Sequence, residues 1–322
     1  MILDNKVVIV SGIGPGLGQE LAYGAAREGA KLVIAARSTE LLNKLQAEIS
    51  GSGSEVIAVP CDITKPEDCE NLVNKTLDQY GQIDGLLNSA YRAGDFKEIC
   101  DSDFNDWQET MNTNFFGTMN LTMATVKKME SNAAIVMINS LITKKPLPTQ
   151  GGYAASKGAL ATATKILAKE LGPKGIRVNS VFMGWMWGPP VEMYVNYTAE
   201  AMGVSPDTVI SGVTKDIPLG LIPDDSDCAN AALFLISDLA KVITGASLDV
   251  NGGTLGTGAQ WIWYNGDPNA GGILIGNGNP LTNTPISSTT DFYVRAEGIC
   301  DSSNTVNQVV IVEDISIAPT SL

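Results

Sequence analysis

Seven short runs rich in β-branched residues recur along the first 250 residues, separated by longer amphipathic stretches. They lie at residues 6–10, 32–35, 56–59, 85–88, 134–138, 177–182 and 247–250, and most are apolar almost throughout. Runs of that kind fit strands buried on both faces. Their alternation with helix-length segments predicts an α/β fold with a doubly wound, seven-stranded parallel sheet covered by helices on both sides. Among the helices, Ser38 is placed as N-cap of a segment over 39–49, Pro66 sits in the first turn of one reaching Tyr80, and residues 153–171 form one that stops at Gly172-Pro173. After Gly252-Gly253 lysine disappears and Gly, Asn, Thr and Ser rise. Short alternating runs at 261–264, 273–275, 292–295 and 309–312 replace the helical pattern. A boundary near Thr254 follows, with an α/β domain over 1–253 and a small β-rich extension over 254–322.

The first run passes into a glycine-rich turn, Gly12-Ile13-Gly14-Pro15-Gly16-Leu17-Gly18, and then a helix. Such a turn lets backbone N–H groups and the positive end of a helix approach a pyrophosphate; an ordinary tight strand-to-helix turn is the alternative. About 20 residues further on, where an acidic residue would hold a ribose 2′-hydroxyl, stand Ala36 and Arg37. Arg37 can pair with the 2′-phosphate of NADP, or it is a solvated arginine at the mouth of a helix. Asp62 and Asn88-Ser89-Ala90 fall at the ends of the third and fourth strands, where open α/β sheets bind ligands and where turn formers also occur.

The chain has no histidine, which removes Ser-His-Asp and Cys-His mechanisms and most zinc and iron sites, so acid/base chemistry falls to Tyr, Lys, Asp or Glu. Five scattered cysteines with no C-x-x-C spacing read as reduced thiols, and no metal site is expected. A formal net charge of −14 argues against a nucleic-acid partner. No apolar run is long enough to cross a bilayer and the segment from Met1 to Lys6 lacks signal-peptide character, so a cytoplasmic location is expected, with no membrane partner.

Within these limits one constellation stands out: Ser140, Tyr153 and Lys157, with Asn114 upstream. Tyr153 and Lys157 are four apart at the start of a helix and project from one face. A free phenol titrates near 10, too high for a base at neutral pH; a neighbouring ammonium and an oxidised nicotinamide would lower it. Ser140 can hydrogen-bond a substrate oxygen, and Asn114 can hold a water connecting Lys157 to solvent. A Tyr-x-x-x-Lys pair alone also occurs as a helix-surface pair.

In combination, Gly12, Gly16, Gly18, Asp62, Asn88-Ser89-Ala90, Asn114, Ser140, Tyr153, Lys157 and the closing Val250-Asn251-Gly252-Gly253 resemble the single-domain short-chain dehydrogenases/reductases. The resemblance covers residues 1 to about 253 and implies a Rossmann-type sheet and reversible hydride transfer between a nicotinamide and a carbonyl or secondary alcohol. It implies Tyr153 as proton donor in reduction, Ser140 as polariser, Lys157 as pKa modifier and ribose holder, and Asn114 in the proton relay. Cofactor contacts are implied at Gly12, Gly14, Gly16, Leu17, Gly18, Arg37, Asp62, Ile63, Asn88, Ser89, Ala90 and Gly184, besides Tyr153 and Lys157. NADP is the expected cofactor, NAD the alternative, and a homotetramer or dimer the expected assembly. Where the family usually carries Pro-Gly, this chain has Met183-Gly184.

The segment from Trp185 through Met202 lies where the family places its substrate lid, and its aromatic and Met content points to an apolar ketone or alcohol, or else to packing against the core or another subunit. Phrases in the extension, among them the run from Gly258 to Tyr264 and that from Thr290 to Gly298, resemble immunoglobulin-like repeats of bacterial surface proteins. That leaves a rival reading, a non-catalytic nucleotide-binding scaffold with an adhesive tail. A third, dehydration or epimerisation of a nucleotide sugar, would need a larger substrate domain.

Overall fold

The computed structural model describes residues 1–256 and, beyond them, four strands. The chain divides into two compact units, Met1–Gly253 and Thr254–Leu322.

In the first unit the elements run β1 (Val7–Ser11), α1 (Leu17–Arg27), β2 (Lys31–Ala36), α2 (Thr39–Gly51), β3 (Val56–Pro60), α3 (Pro66–Tyr80) and β4 (Gly85–Asn88). There follow α4 (Phe104–Met111), a π-helical turn over Asn112–Gly117, α5 (Thr118–Val126), β5 (Ala134–Ser140), α6 (Gly151–Leu171) and β6 (Arg177–Met183). The unit closes with α7 (Pro189–Met202), α8 (Pro206–Thr214), α9 (Asp225–Ile236) and β7 (Ser247–Val250). Seven strands form one parallel sheet in the order β3-β2-β1-β4-β5-β6-β7. The order reverses between β1 and β4, and a crevice opens there at the strands' C-terminal ends.

Side chains alternating along the strands feed two cores. Val8, Val10, Leu32 and Ile34 pack against α1, α2 and α9 on one face. Ile9, Val33, Ile135 and Met137 pack against α3, α5 and α6 on the other. Burial of both faces makes the sheet the rigid frame on which the loops at its C-terminal edge are held. Ser38 does cap α2, its hydroxyl accepting from the Leu41 N–H at 3.4 Å.

In the second unit, β8 (Gln260–Asn265), β9 (Ile273–Asn277), β10 (Phe292–Glu297) and β11 (Val310–Val312) form an antiparallel sheet in the order β11-β10-β8-β9. The rest of residues 257–322, Cys300 included, lies outside the described residues, and with it most of the expected immunoglobulin-like resemblance. Cys61, Cys69, Cys100 and Cys228 are free thiols. Among the described residues no helix is long and apolar enough to cross a membrane, and no cluster of acidic or cysteine side chains is arranged to hold a metal.

Candidate active site

The turn between β1 and α1 is shaped by what its glycines leave out. Gly12 (φ 78°) and Gly16 (φ 96°) occupy the left-handed region. A Cβ on Gly12 would overlap the backbone of Ala90, and one on Gly18 would overlap the Gly12 carbonyl. The Ser89 N–H donates to the Ser11 carbonyl at 3.1 Å, so the segment after β4 braces the turn directly. In contrast, a Cβ on Gly14 would meet nothing within 4 Å, which leaves open space before the turn. No side chain caps the N-terminus of α1, so its first amide groups stay available to an anion.

At the other end of the same cleft stand Ser140, Tyr153 and Lys157; the lining continues from Gly12, Gly14, Leu17 and Gly18 through Ser89 to these three. Ser140 ends β5, where its hydroxyl accepts from the Ile142 N–H at 3.2 Å. Tyr153 and Lys157 ride on the first turns of α6, which begins at Gly151, two residues before the predicted start. Gly151 and Gly152 are the reason: the indole of Trp107, on α4, lies where their Cβ atoms would be, so only glycines let α4 and α6 approach this closely.

Burial disfavours the charged form of both side chains. Burial pushes the Tyr153 phenol up to about 12, with the Ser140 hydroxyl working the other way. Burial likewise pushes the Lys157 ammonium down to about 8. Lys157 is not among the groups that shift the phenol. Lys157 Nζ lies 5.8 Å from the Tyr153 ring centroid and donates to the Ile138 carbonyl at 2.8 Å, so its charge does not offset the loss of water around the phenol.

Asn114 lies in the π-helical turn and is fully buried. Its amide accepts from the Arg92 N–H at 2.7 Å and donates to the Arg92 carbonyl and the Ser156 hydroxyl, both at 2.9 Å. Ser156 donates to the Tyr153 carbonyl at 2.7 Å. With both amide hydrogens committed to Arg92 and Ser156, Asn114 ties α6 to the loop after β4.

The other expected cofactor residues divide by position. Arg37 is exposed just past β2 and makes no ion pair among the described residues, while its charge reaches Asp62. The Asp62 carboxylate accepts from the Thr64 N–H at 3.1 Å and hydroxyl at 2.8 Å, a turn-forming role. The Ile63 side chain is buried in the core, and a Cβ on Gly117 would lie 2.9 Å from it. Asn88 is buried and donates to the Thr122 hydroxyl at 3.1 Å and to Met137 Sδ at 3.3 Å, facing away from the cleft wall that Ser89 forms. Gly184 lines the cleft, and close approach demands a glycine there, since a Cβ would lie 2.6 Å from that of Asn251.

The lid segment splits. Trp185, Met186, Pro190 and Val191 line the cleft, and Trp185 packs on Tyr194 with ring centroids 5.3 Å apart. Met193, Tyr197 and Met202 face outward. Two residues that sequence reasoning passed over also line the cleft: Tyr91, whose ring meets that of Tyr153 edge-on at 6.4 Å, and Asp225 at the start of α9. Tyr91 follows Asn88-Ser89-Ala90 directly, which was a usable signal; Asp225 offered none.

A nicotinamide dinucleotide fits this set. The glycine turn leaves uncapped helix amides and open space for a pyrophosphate, and the cleft runs from there to Tyr153 and Lys157.

Residues 12–254 match the family model described as enoyl-(acyl carrier protein) reductase. A short-chain dehydrogenase/reductase of Botryotinia fuckeliana is 31% identical over 253 residues, covering 77% of this chain and 96% of the relative. The crystal structure of a variant actinorhodin polyketide ketoreductase with NADPH superposes with a TM-score of 0.71 at 28% identity, covering 78% of this chain and 97% of that one. An NAD+-bound xylitol dehydrogenase gives 0.73 at 26% identity, covering 79% and 100%.

Proposed function

The chain belongs to the short-chain dehydrogenase/reductase family, and from that premise we propose that Tyr153, Lys157 and Ser140 carry out its NAD(P)-linked transfer of a hydride between the cofactor and a carbonyl or alcohol carbon. The dinucleotide, when bound, supplies or takes up the hydride. The Tyr153 hydroxyl gives its proton to the substrate oxygen in reduction and takes it back in oxidation. Ser140, at the end of β5, orients and polarises that oxygen. Lys157 holds the nicotinamide ribose and provides the nearby positive charge. Asn114 serves by fixing the start of α6 through Ser156.

Three finer readings go with this. Arg37, beside the β2 end and without an ion pair among the described residues, favours NADP over NAD; solved relatives carry either cofactor. The apolar lining from Trp185, Met186, Pro190 and Val191 favours an apolar ketone or alcohol. The extension, whose two resembling phrases form β8 and β10, is a module appended to the oxidoreductase, which we take to be a cytoplasmic homo-oligomer.

The observation that carries the reading is the single cleft joining the glycine turn to Tyr153 and Lys157. A spectrophotometric panel of ketones and alcohols with NADPH, NADH and their oxidised forms tests it. Turnover fastest with apolar ketones and NADPH is expected; no turnover with either cofactor across a broad panel would overturn it. Deleting Thr254–Leu322 should leave that activity in place, whereas an adhesive scaffold would lose its function.

A further inference from the structure

One acidic group in the cleft has no part in the chemistry above. Asp225 opens α9, which packs along α1, and its N–H donates to the Trp187 carbonyl at 3.0 Å, so the fold holds it in place. The residue is 7% exposed, yet its carboxyl makes no hydrogen bond or ion pair among the described residues. It lines the cleft beside the glycine turn. Two glycines clear the space it fills. A Cβ on Gly16 would lie 2.7 Å from Asp225 Oδ2, and one on Gly188 would overlap it.

Among the described residues, the groups that face this carboxyl include no cation. Glu20 reaches it from α1, Asp224 from the preceding residue, Tyr91 from the loop after β4 and Cys228 from the next turn of α9. Burial, then Glu20, then Asp224 push it up to about 6. An ionised carboxylate at the turn where a pyrophosphate binds would repel that anion, with little water between to screen it. A neutral carboxylic acid in the same place has an O–H to donate, and an anionic phosphate oxygen is a strong acceptor.

Resting on the reading that the chain binds NAD(P), we propose that Asp225 binds the cofactor's pyrophosphate as a neutral carboxylic acid, donating a hydrogen bond to a phosphate oxygen, so that binding takes up one proton from solvent. The one bond formed is the O–H on the Asp225 carboxylate, its proton given up by solvent or buffer. The two glycines and the unpaired carboxyl then form one device: a proton-dependent clasp closing over the phosphate end of the cleft.

The test is the pH dependence of cofactor affinity, read by fluorescence titration of the full chain with NADH and NADPH between about pH 5.5 and 7.5 at fixed ionic strength. Lys157 stays mostly charged across that window, and NADH carries no 2′-phosphate to titrate within it. The Kd for NADH should rise with pH, approaching about tenfold per pH unit above about pH 6. Calorimetry in two buffers of different ionisation enthalpy should report uptake of close to one proton near pH 7. Asp225→Asn, neutral at every pH and still a donor, should bind at pH 7.5 at least as tightly as the parent chain and with a flat profile.

A parent profile that is flat, or an affinity that strengthens as pH rises, overturns the proposal; the latter would make Asp225 an ionised acceptor instead. Should Asp225→Asn fail to fold, the parent profile and the proton count decide alone. Failure of either cofactor to bind at any pH would strike down the nicotinamide reading as well, whereas binding without proton uptake would remove only the clasp.

Discussion

The two ends of the cleft are made of different materials. At the phosphate end the geometry comes from missing side chains: Gly12 and Gly18 bring the turn against Ala90 and against itself, and backbone amides are what it presents. At the catalytic end the geometry comes from side chains held where water would not have them, with Tyr153 pushed up and Lys157 pushed down by burial. The first end is therefore sensitive above all to volume, Asp225 apart. The second is sensitive to chemistry and tolerant of small changes in volume.

The sharpest way to break this contrast is a change of chemistry with almost no change of volume. Tyr153→Phe removes one oxygen from a ring that packs edge-on against Tyr91. The expected loss in kcat is about 10³-fold or more, in the range of a lost general acid, with the Kd for NADPH within about twofold of the parent. Single-turnover kinetics and a cofactor titration on the same preparation check both halves. A variant that keeps turnover would remove Tyr153 from the mechanism.

The complementary change adds volume without chemistry. Gly18→Ala places a methyl group on the Gly12 carbonyl, backbone against backbone, where neither partner can rotate away. A cost of about 1–3 kcal/mol in unfolding free energy is expected from such overpacking, together with weaker cofactor binding as the turn opens. Urea denaturation and NADPH titration measure these. An alanine accepted with full affinity would mean that the turn is not built on close approach.

How far each end could be read from residues alone follows from the same contrast. All seven parallel strands lie where their apolar runs predict, within two residues at each end, because burial on both faces leaves a continuous apolar signal. Most of the glycine turn was legible because its requirements are local, with Gly18 acting on Gly12 and Ile13 and Gly12 on the residues after the neighbouring strand. The start of α6 was not, since Gly151-Gly152 reads as loop and becomes helix only under the indole of Trp107. The burial that pushes Tyr153 up was also hidden, because the spacing to Lys157 is visible in the chain whereas depth of burial is not. Asp225 illustrates the limit. It stands 209 positions after Gly16 and reaches it only because α9 packs along α1.

Arg37 lies outside both descriptions and gives the smallest effect, which makes it the finest probe of the phosphate end. It is exposed just past β2, whose Ala35 carbonyl accepts from Gly12 and Ile13, so the strand end and the glycine turn are locked together. A phosphate on the adenine-side ribose would meet a cation that already lies near the turn and has no ion pair to break. Because Arg37 is solvated, its contribution is modest: Arg37→Ala should raise the Kd for NADPH about tenfold, equivalent to about 1.4 kcal/mol, and leave that for NADH within about twofold. The NADPH loss should shrink as salt is raised, since an exposed charge pair is screened within about 10 Å at 0.1 M ionic strength. Parallel titrations of the two cofactors at low and high salt measure this. An equal loss for both would assign Arg37 to holding the strand end rather than to reading the 2′-phosphate, and would leave the phosphate end without a charged side chain that tells one cofactor from the other.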